Sequence, residues 1–344
     1  MSVPSGITEP MNLQQKKSPA LKWAAALAAA VVLVFLALVP QLLSGYWIRV
    51  ITGALMFVVI TSSLNLIVGY AGYAAFGNVV FFGLGAYAAG IAATHFQASM
   101  PVSIIIAALV GTGFSLLFGY PLMRIKGGYF AIATLALNEA MKQVVYNLEI
   151  TGGGRGMSMP ISPQSSEAVY SNIYYQMFAL LLVCVGSIWV ISRIPFGLAI
   201  RALRDQEDAA EVMGIDTTVY RMLAWAISAF FMALTGGIWA FWISFFEPHT
   251  AFDIMISVKA FVMMLLGGMG TLFGPVLGAF FLEIVSELIW GTFAEVHRLI
   301  FGLIVVFAVL LMPEGLVGLG AKRWQLPPSL RLFLRPPQSE GVKR

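Results

Sequence analysis

The chain has 344 residues, of which 59% are hydrophobic and only 10% are charged. Soluble domains carry about 25% charged residues, so this composition excludes an ordinary soluble protein and predicts one integral membrane domain. The net charge of +4 does not indicate nucleic-acid binding, because the basic residues fall between apolar runs and at the chain ends.

Apolar runs of membrane-spanning length follow one another along the chain, and about ten spans of some 20 residues fit into its length. We predict an all-α fold, a polytopic membrane helical bundle preceded by a cytoplasmic N-terminal segment, residues 1–22. The run 23–43 is too long for the apolar part of a signal peptide and is interpreted as an uncleaved first span. The other predicted spans are 51–68, a third that ends near 95, 101–124, a fifth that begins at 127, 173–191, 220–246, 254–266, 278–290 and 299–312.

Two glycine-rich stretches interrupt these runs, Asn65 to Gly90 in the first half and Gly267 to Pro275 in the second. A broken helix is tolerated in lipid only where protein buries it or where it lines a watery cavity. Paired interruptions in the two halves of a chain are typical of a transport pathway. We therefore predict two glycine-broken helices, and close helix packing alone is the alternative. The candidate pathway residues are Gly69, Gly72, Tyr73, Gly77, Asn78, Gly83, Gly267, Gly270 and Gly274.

Acidic residues occur within two of the predicted spans. Glu139 and Lys142 are three residues apart, so they lie on one helix face and can pair. Glu139 is a further pathway candidate, because ionisable residues inside spans usually face the interior or a cavity; snorkelling from a helix end is the alternative. Glu283 and Glu287 share a face four residues apart, which more often marks a polar stripe against a neighbour than a proton relay.

The sequence carries no recognisable catalytic or metal-binding motif. The glycine-rich segment Thr151–Gly156 does not match a nucleotide-binding loop, and we predict a flexible external loop over residues 148–172. The three histidines are scattered, and the single cysteine, Cys184, cannot form an intrachain disulfide. No catalytic residue and no metal ligand is predicted.

Residues 193–218 form a charged segment in a chain with few charges. The part from Ala199 to Met213 lacks Gly and Pro and predicts one short amphipathic helix outside the bilayer. Fifteen of the 20 Lys and Arg residues fall on the inner side if the N-terminus is inside and ten spans follow. This asymmetry predicts that both termini and the charged segment are cytoplasmic. A solvated linker is the alternative to a docking helix.

Several segments, in this order, closely resemble the M-type membrane subunit of branched-chain amino acid permeases of ABC importers. The segments are NLIVGYAGYAAFGNVVFFGLGAYAAG, YFAIATLALNEAMKQVVYN with TGGGRGM, FGLAIRALRDQEDAAEVMGI, LLGGMGTLFGPVLGAFFLE and LIFGLIVVFAVLLMPEGLVG. The resemblance covers about residues 51–318. It implies a permease domain over 23–318, with residues 193–218 as its cytoplasmic ATPase-coupling loop, and a cytoplasmic basic tail over 319–344.

The resemblance also implies function and partners. It implies a multi-pass protein of the bacterial inner membrane that imports branched-chain or other hydrophobic amino acids by alternating access. The implied partners are an H-type permease in a heterodimer, two cytoplasmic ATPases that bind ATP and magnesium, and a periplasmic substrate-binding protein. The chain itself would have no cofactor and no enzymatic activity. The implied ATPase-coupling residues are Arg201, Arg204, Asp208, Ala209, Ala210 and Gly214.

The sequence departs from the family pattern at three polar pathway positions. Tyr73 stands where Gln is common, Ala75 where Ser is common and Asn78 where His is common. Asp208 replaces the usual Glu of the coupling motif. Same-fold importers of urea, amides or aromatic acids therefore remain alternatives. A different class, an ion-coupled secondary transporter with Glu139, Glu283 and Glu287 as ion sites, also remains.

Overall fold

The computed structural model describes residues 19–43, 45–125, 127–160, 165–292 and Gly302. The chain divides into two units, residues 1–43 and residues 44–344. The first unit contains helix α1 (Pro19–Leu42), which carries Pro40 near its C-terminal end. Outside the described residues lie most of the N-terminal segment 1–22, the tail 319–344 and, apart from Gly302, the predicted tenth span 299–312.

The second unit is built from helices and one short strand pair. Its helices are α2 (Gly45–Asn65), α3 (Val79–His95), α4 (Met100–Leu122), α5 (Gly128–Asn147), α6 (Ser166–Ile191), α7 (Pro195–Asp205), α8 (Glu207–Val212), α9 (Thr217–Ile243), α10 (Pro248–Ala251), α11 (Ile254–Gly267) and α12 (Gly274–Thr292). Strands β1 (Met157–Ser158) and β2 (Phe245–Phe246) pair antiparallel. The Asp216 and Asp253 carboxylates cap α9 and α11 by accepting hydrogen bonds from backbone N–H groups of the first turn.

Six helical segments in the described part of the chain are long and apolar enough to cross a membrane. They are Gly45–Tyr70, Phe76–His95, Met100–Leu122, Glu167–Ile191, Thr217–Ile243 and Pro248–Gly267. The predicted helical membrane bundle is thereby confirmed, whereas the predicted count of about ten spans is not confirmed by the six segments found among the described residues. The predicted first, fifth and ninth spans coincide with α1, α5 and α12, which are helical but are not among the six.

Both predicted interruptions are present. After α2 the chain continues as a π-helical turn, Leu66–Tyr70, then loses helical structure until a 3-10 turn, Phe76–Asn78, leads into α3. The second interruption separates α11 from α12, between Gly267 and Gly274. Gly83 lies inside α3, so the first break is shorter than the glycine-rich stretch that predicts it.

Helix α9 packs along both α3 and α4, and small residues let these helices approach closely. A Cβ atom added at Gly85 of α3 would lie 2.2 Å from the Ala233 carbonyl oxygen of α9. One added at Gly236 of α9 would lie 2.0 Å from the Phe82 carbonyl oxygen. Side chains larger than hydrogen are therefore excluded at both contacts.

The two ends of α9 contact different parts of the chain. Its N-terminal end follows α7 and α8, and we call this the coupling end. Its C-terminal end leads into β2, which pairs with β1 of the 148–160 segment, and we call this the outer end. This segment was predicted as a flexible loop, yet it forms 3-10 turns at Glu149–Thr151 and Gly153–Arg155 before β1. Helix α6 begins at Ser166, earlier than the predicted start at 173, because the Ser165 side chain caps it.

Candidate functional site

The two helix interruptions meet at the buried side chain of Asn65, the last residue of α2. Its amide nitrogen donates to the Thr271 carbonyl oxygen at 2.9 Å, and its amide oxygen accepts from the Gly270 N–H at 2.8 Å. Asn65 thus satisfies one carbonyl and one N–H that the break between α11 and α12 leaves without helical partners. A single side chain therefore joins the first interruption to the second.

Arg204 of α7 reaches the same meeting point from the coupling end. Its guanidinium donates to the Gly69 carbonyl oxygen at 2.5 Å. Gly270 has φ +77°, and a Cβ atom there would lie 2.3 Å from Nη1 of Arg204. Only glycine fits this position without strain, because the backbone there is left-handed and the guanidinium leaves no room for a Cβ atom. Arg204 thus bonds the charged segment to the first interruption and lies close to the second.

A second contact joins the charged segment to the first interruption through Tyr73, Glu207 and Arg221. The Tyr73 hydroxyl donates to Oε2 of Glu207 at 2.5 Å and accepts a hydrogen bond from Arg221. Nη1 of Arg221 lies 3.3 Å from Oε1 of Glu207. Arg221 lies in the second turn of α9, and its side chain is only 2% exposed. Its guanidinium also donates hydrogen bonds to the carbonyl and hydroxyl oxygens of Thr217. We call Tyr73, Glu207 and Arg221 the polar triad.

The electrostatics of the polar triad keep its three members together. Burial, followed by the hydrogen bond to Glu207, raises the pKa of Tyr73 to about 12, so its hydroxyl stays protonated and can donate. A buried arginine without its carboxylate partner is strongly destabilising. Glu207 of α8, Tyr73 of the first interruption and Arg221 of α9 are therefore expected to move as one unit.

The structure places the predicted pathway residues of the first interruption mostly in close contacts. A Cβ atom added at Gly77 would lie 1.8 Å from the Thr134 carbonyl oxygen of α5, and one at Gly83 would lie 2.6 Å from the Phe252 ring. Gly72 lies against Arg204. The Asn78 side chain is fully buried, donates to the Ser228 hydroxyl and accepts from the Trp225 indole, both at 2.9 Å. Their role in lining a pathway stays a prediction.

The predicted residues of the second interruption also lie at close backbone contacts. A Cβ atom added at Gly267 would lie 1.8 Å from the Gly274 carbonyl oxygen. One added at Gly274 would lie 2.3 Å from the Gly268 carbonyl oxygen. These two glycines let the ends of α11 and α12 touch, which forms the tight turn that presents Gly270 to Asn65 and Arg204.

The acidic residues within predicted spans all have partners. Nζ of Lys142 lies 2.6 Å from Oε2 of Glu139, which confirms the predicted pairing. Glu283 of α12 lies 2.6 Å from Nζ of Lys259 on α11. Glu287 accepts a hydrogen bond from the Tyr46 hydroxyl at 2.7 Å. Glu283 and Glu287 therefore join α12 to α11 and α2.

The coupling residues predicted from the family pattern lie on two helices rather than on the single helix predicted over 199–213. The chain becomes extended at Gln206, which separates α7 from α8. Arg201 and Arg204 lie on α7, and the Arg201 guanidinium stacks over the Tyr70 ring. On α8, Asp208 and Ala209 are exposed and Ala210 is buried, whereas Gly214 beyond α8 has φ +85° and no neighbour within 4 Å of an added Cβ. Val212 and Met213 expose 89% and 83% of their surface.

Sequence reasoning missed Asn65, Glu207 and Arg221 as members of the site. Asn65 is a single amide residue at the end of an apolar run, directly before a glycine-rich break. That position is the one feature of the sequence that could have indicated its role. Arg221 enters the sequence analysis only through the count of basic residues. Its partner Tyr73 is 148 positions away, a separation that no local pattern connects.

Comparisons with known proteins identify a family and several relatives of this chain. Residues 46–309 match the family model described as "Branched-chain amino acid transport system / permease component". The chain is 29% identical to the high-affinity branched-chain amino acid transport system permease protein LivM of Salmonella typhimurium, over 81% of this chain and 71% of that protein.

Two further relatives carry other names. The chain is 26% identical to the probable branched-chain amino acid transport permease protein LivH of Methanocaldococcus jannaschii, over 65% of this chain and 75% of that one. It is 33% identical to the autoinducer 2 import system permease protein LsrC of an Enterobacter species, over 60% of this chain and 61% of that one. No solved structure matches. The sequence segments that occur in the family's order, the helical membrane bundle and the match to the family model show together that the chain belongs to the family of permease components of branched-chain amino acid transport systems.

Proposed function

We propose that the chain is the M-type permease subunit of an ATP-driven importer that takes up branched-chain or other hydrophobic amino acids by alternating access. It carries no ATPase chemistry of its own. ATP and magnesium bind to partner ATPase subunits, whose movement reaches this chain through the charged segment. The similarity to LivM over most of both chains supports the substrate class.

The observation that carries the mechanism is the attachment of the charged segment to the helix interruptions. Arg204 bonds Gly69, and Glu207 bonds Tyr73 and Arg221. A displacement of α7 and α8 would therefore act directly on the first break, and through the hydrogen bonds of Asn65 on the second. The exposed Val212 and Met213 give α8 an apolar surface for an ATPase.

The proposed assembly contains an H-type permease, two cytoplasmic ATPases and a periplasmic substrate-binding protein, all at the bacterial inner membrane. The similarity to LivH as well as LivM supports two related permeases that face one another. Ten spans with both termini in the cytoplasm are part of this proposal. The excess of basic residues on the proposed inner side supports that orientation.

Uptake by the reconstituted complex tests the proposal. Proteoliposomes that contain this chain, its partner permease and both ATPases should accumulate labelled leucine, isoleucine and valine when the binding protein and ATP are supplied. A variant of the ATPases that cannot hydrolyse ATP serves as the control and should give no accumulation. Accumulation by this chain without ATPases under an ion gradient would instead show a secondary transporter. Uptake of autoinducer 2 but not of leucine would show that the substrate follows the LsrC relative.

A further inference from the structure

Helix α5 has two faces of different character. Phe130, Thr134 and Asn138 are buried, and Thr134 touches the first interruption at Gly77. The opposite face is exposed or partly so from one end of the helix to the other. Residues at helical spacing on this exposed face are Ile132, Ala136, Glu139, Ala140, Gln143 and Asn147.

The C-terminal half of this exposed face, from Glu139 to Asn147, is too polar to lie against lipid. Glu139, Gln143 and Asn147 follow one another at intervals of four residues, and the amide of Gln143 donates to Glu139 at 3.3 Å. Ionisable and amide side chains inside a membrane are costly unless they face protein or a water-filled space. The exposed face of α4 is different: it carries Ile105, Leu109 and Leu117, as a lipid-facing helix should.

The polar row continues into a cavity at the outer end. A wide-open surface depression of about 570 Å³, which we call the outer cavity, is lined by residues 147–149 and 152–156, so Asn147 belongs to both. Glu149 and Arg155 place one negative and one positive side chain at its wall.

The chemistry of this face suits a zwitterion with an apolar side chain. Glu139 offers a carboxylate that is 49% exposed, and Lys142 beside it offers an ammonium group. Such a pair can exchange its internal contact for the ammonium and carboxylate groups of an amino acid. Ala140, Ala136 and Ile132 continue the face toward the coupling end and offer small or apolar surface for the side chain.

We propose that the exposed face of α5, from the outer cavity at Asn147 to Ile132, is a wall of the water-filled passage along which a zwitterionic amino acid moves. Glu139 and Lys142 contact its charged groups, and Ala136 and Ala140 contact its apolar part. The substrate class rests on the proposed function. The place of α5 within the membrane rests on the proposed ten-span arrangement, and the position of the passage along it rests on the burial pattern of α5.

Cysteine accessibility in the assembled complex tests the position of the passage. Cys184 is fully buried, so a Cys184→Ala chain gives a clean background for single cysteines. In membrane vesicles, a charged, water-soluble thiol reagent should modify Ala140→Cys and Ala136→Cys at least tenfold faster than Leu117→Cys on the exposed face of α4. Equal rates at Ala140→Cys and Leu117→Cys would overturn the proposal.

Protection by leucine tests the ligand. Leucine with its binding protein should slow modification of Ala140→Cys at least threefold, and should leave unchanged the modification of Ser99→Cys, an exposed position just before α4 whose side chain makes no capping hydrogen bond. If the complex accumulates leucine but leucine does not protect Ala140→Cys, the passage lies elsewhere. If leucine is not accumulated while Ala140→Cys still reacts rapidly, the passage stands and the proposed substrate fails.

Discussion

At Gly77 the backbone of the first interruption lies directly against α5. A Cβ atom there would lie 1.8 Å from the Thr134 carbonyl oxygen, so even Gly77→Ala forces the two segments apart. Overpacking of this kind typically costs about 1–3 kcal/mol, and Gly77→Leu should cost more. We expect Gly77→Ala to lower the unfolding temperature of the detergent-solubilised chain and Gly77→Leu to abolish uptake.

Gly113 of α4 is the matched control for Gly77. An added Cβ atom at Gly113 has no neighbour within 4 Å, so Gly113→Ala should leave both the unfolding temperature and uptake unchanged. An unchanged unfolding temperature in Gly77→Ala would show that the contact with Thr134 is looser than the structure has it.

Within the polar triad, the decisive charge is that of Glu207. Glu207→Gln leaves the buried Arg221 without its anion, and loss of one member of a buried ion pair costs about 3–5 kcal/mol in general. Because Glu207 is 19% exposed, we expect the lower part of this range or less. The complex should still hydrolyse ATP but should transport fewer amino acids for each ATP, since α8 loses its ion pair with Arg221 and is held to α9 less firmly.

Glu211→Gln is the control, because Glu211 is an exposed carboxylate on the same short helix. Exposed substitutions of this kind usually change stability by no more than about 0.5 kcal/mol. The measurement is the ratio of leucine accumulated to ATP hydrolysed. An equal ratio in both variants would mean that the polar triad only stabilises the fold.

At the scale of the element, the two alanines of α8 should respond differently to a large side chain, one through binding of the ATPases and the other through folding of the chain. Ala209 is exposed, whereas Ala210 is 4% exposed and packs against its own chain. Ala209→Trp should leave the amount of chain in the membrane normal and should abolish co-purification of the ATPases. Ala210→Trp should instead reduce the amount of folded chain. Co-purification and stimulated hydrolysis that stay normal in Ala209→Trp would show that α8 is not the ATPase contact.

The sequence predicts most elements of this bundle, and the reason is physical. Apolar runs of spanning length and clustered glycines are local patterns, so six spans and both interruptions follow from them. The end of α7 at Gln206 could not be predicted from a local pattern, because no Gly or Pro marks it. The helix ends where Glu207 turns to contact Tyr73 and Arg221. Asn65 and Arg221 were missed for the same reason, since each owes its role to a partner far away in the chain.

For the whole molecule, sidedness is the property that the structure makes easiest to test. The charged segment and the 148–160 segment lie at opposite ends of α9, so they must face opposite sides of the membrane if α9 crosses it. Reporter fusions at Arg344 should score as cytoplasmic, and insertions between β1 and α6 should score as external. A fusion at Arg344 that scores as external would contradict the proposed ten-span orientation.

Helix α9 also has the proportions of a lever. Its 27 residues give a rod of about 40 Å at about 1.5 Å per residue. The close contacts at Ala233 and Gly236 hold it about two-thirds of the way from its coupling end, where they act as a fulcrum. A tilt of about 5° about that point would carry the coupling end by roughly 2 Å and the outer end by roughly 1 Å in the opposite direction, a rigid-body displacement of the size that switching proteins use. One end holds Arg221 and the other leads into the strand beside the outer cavity, so a push that opens one side of the bundle would tend to close the other.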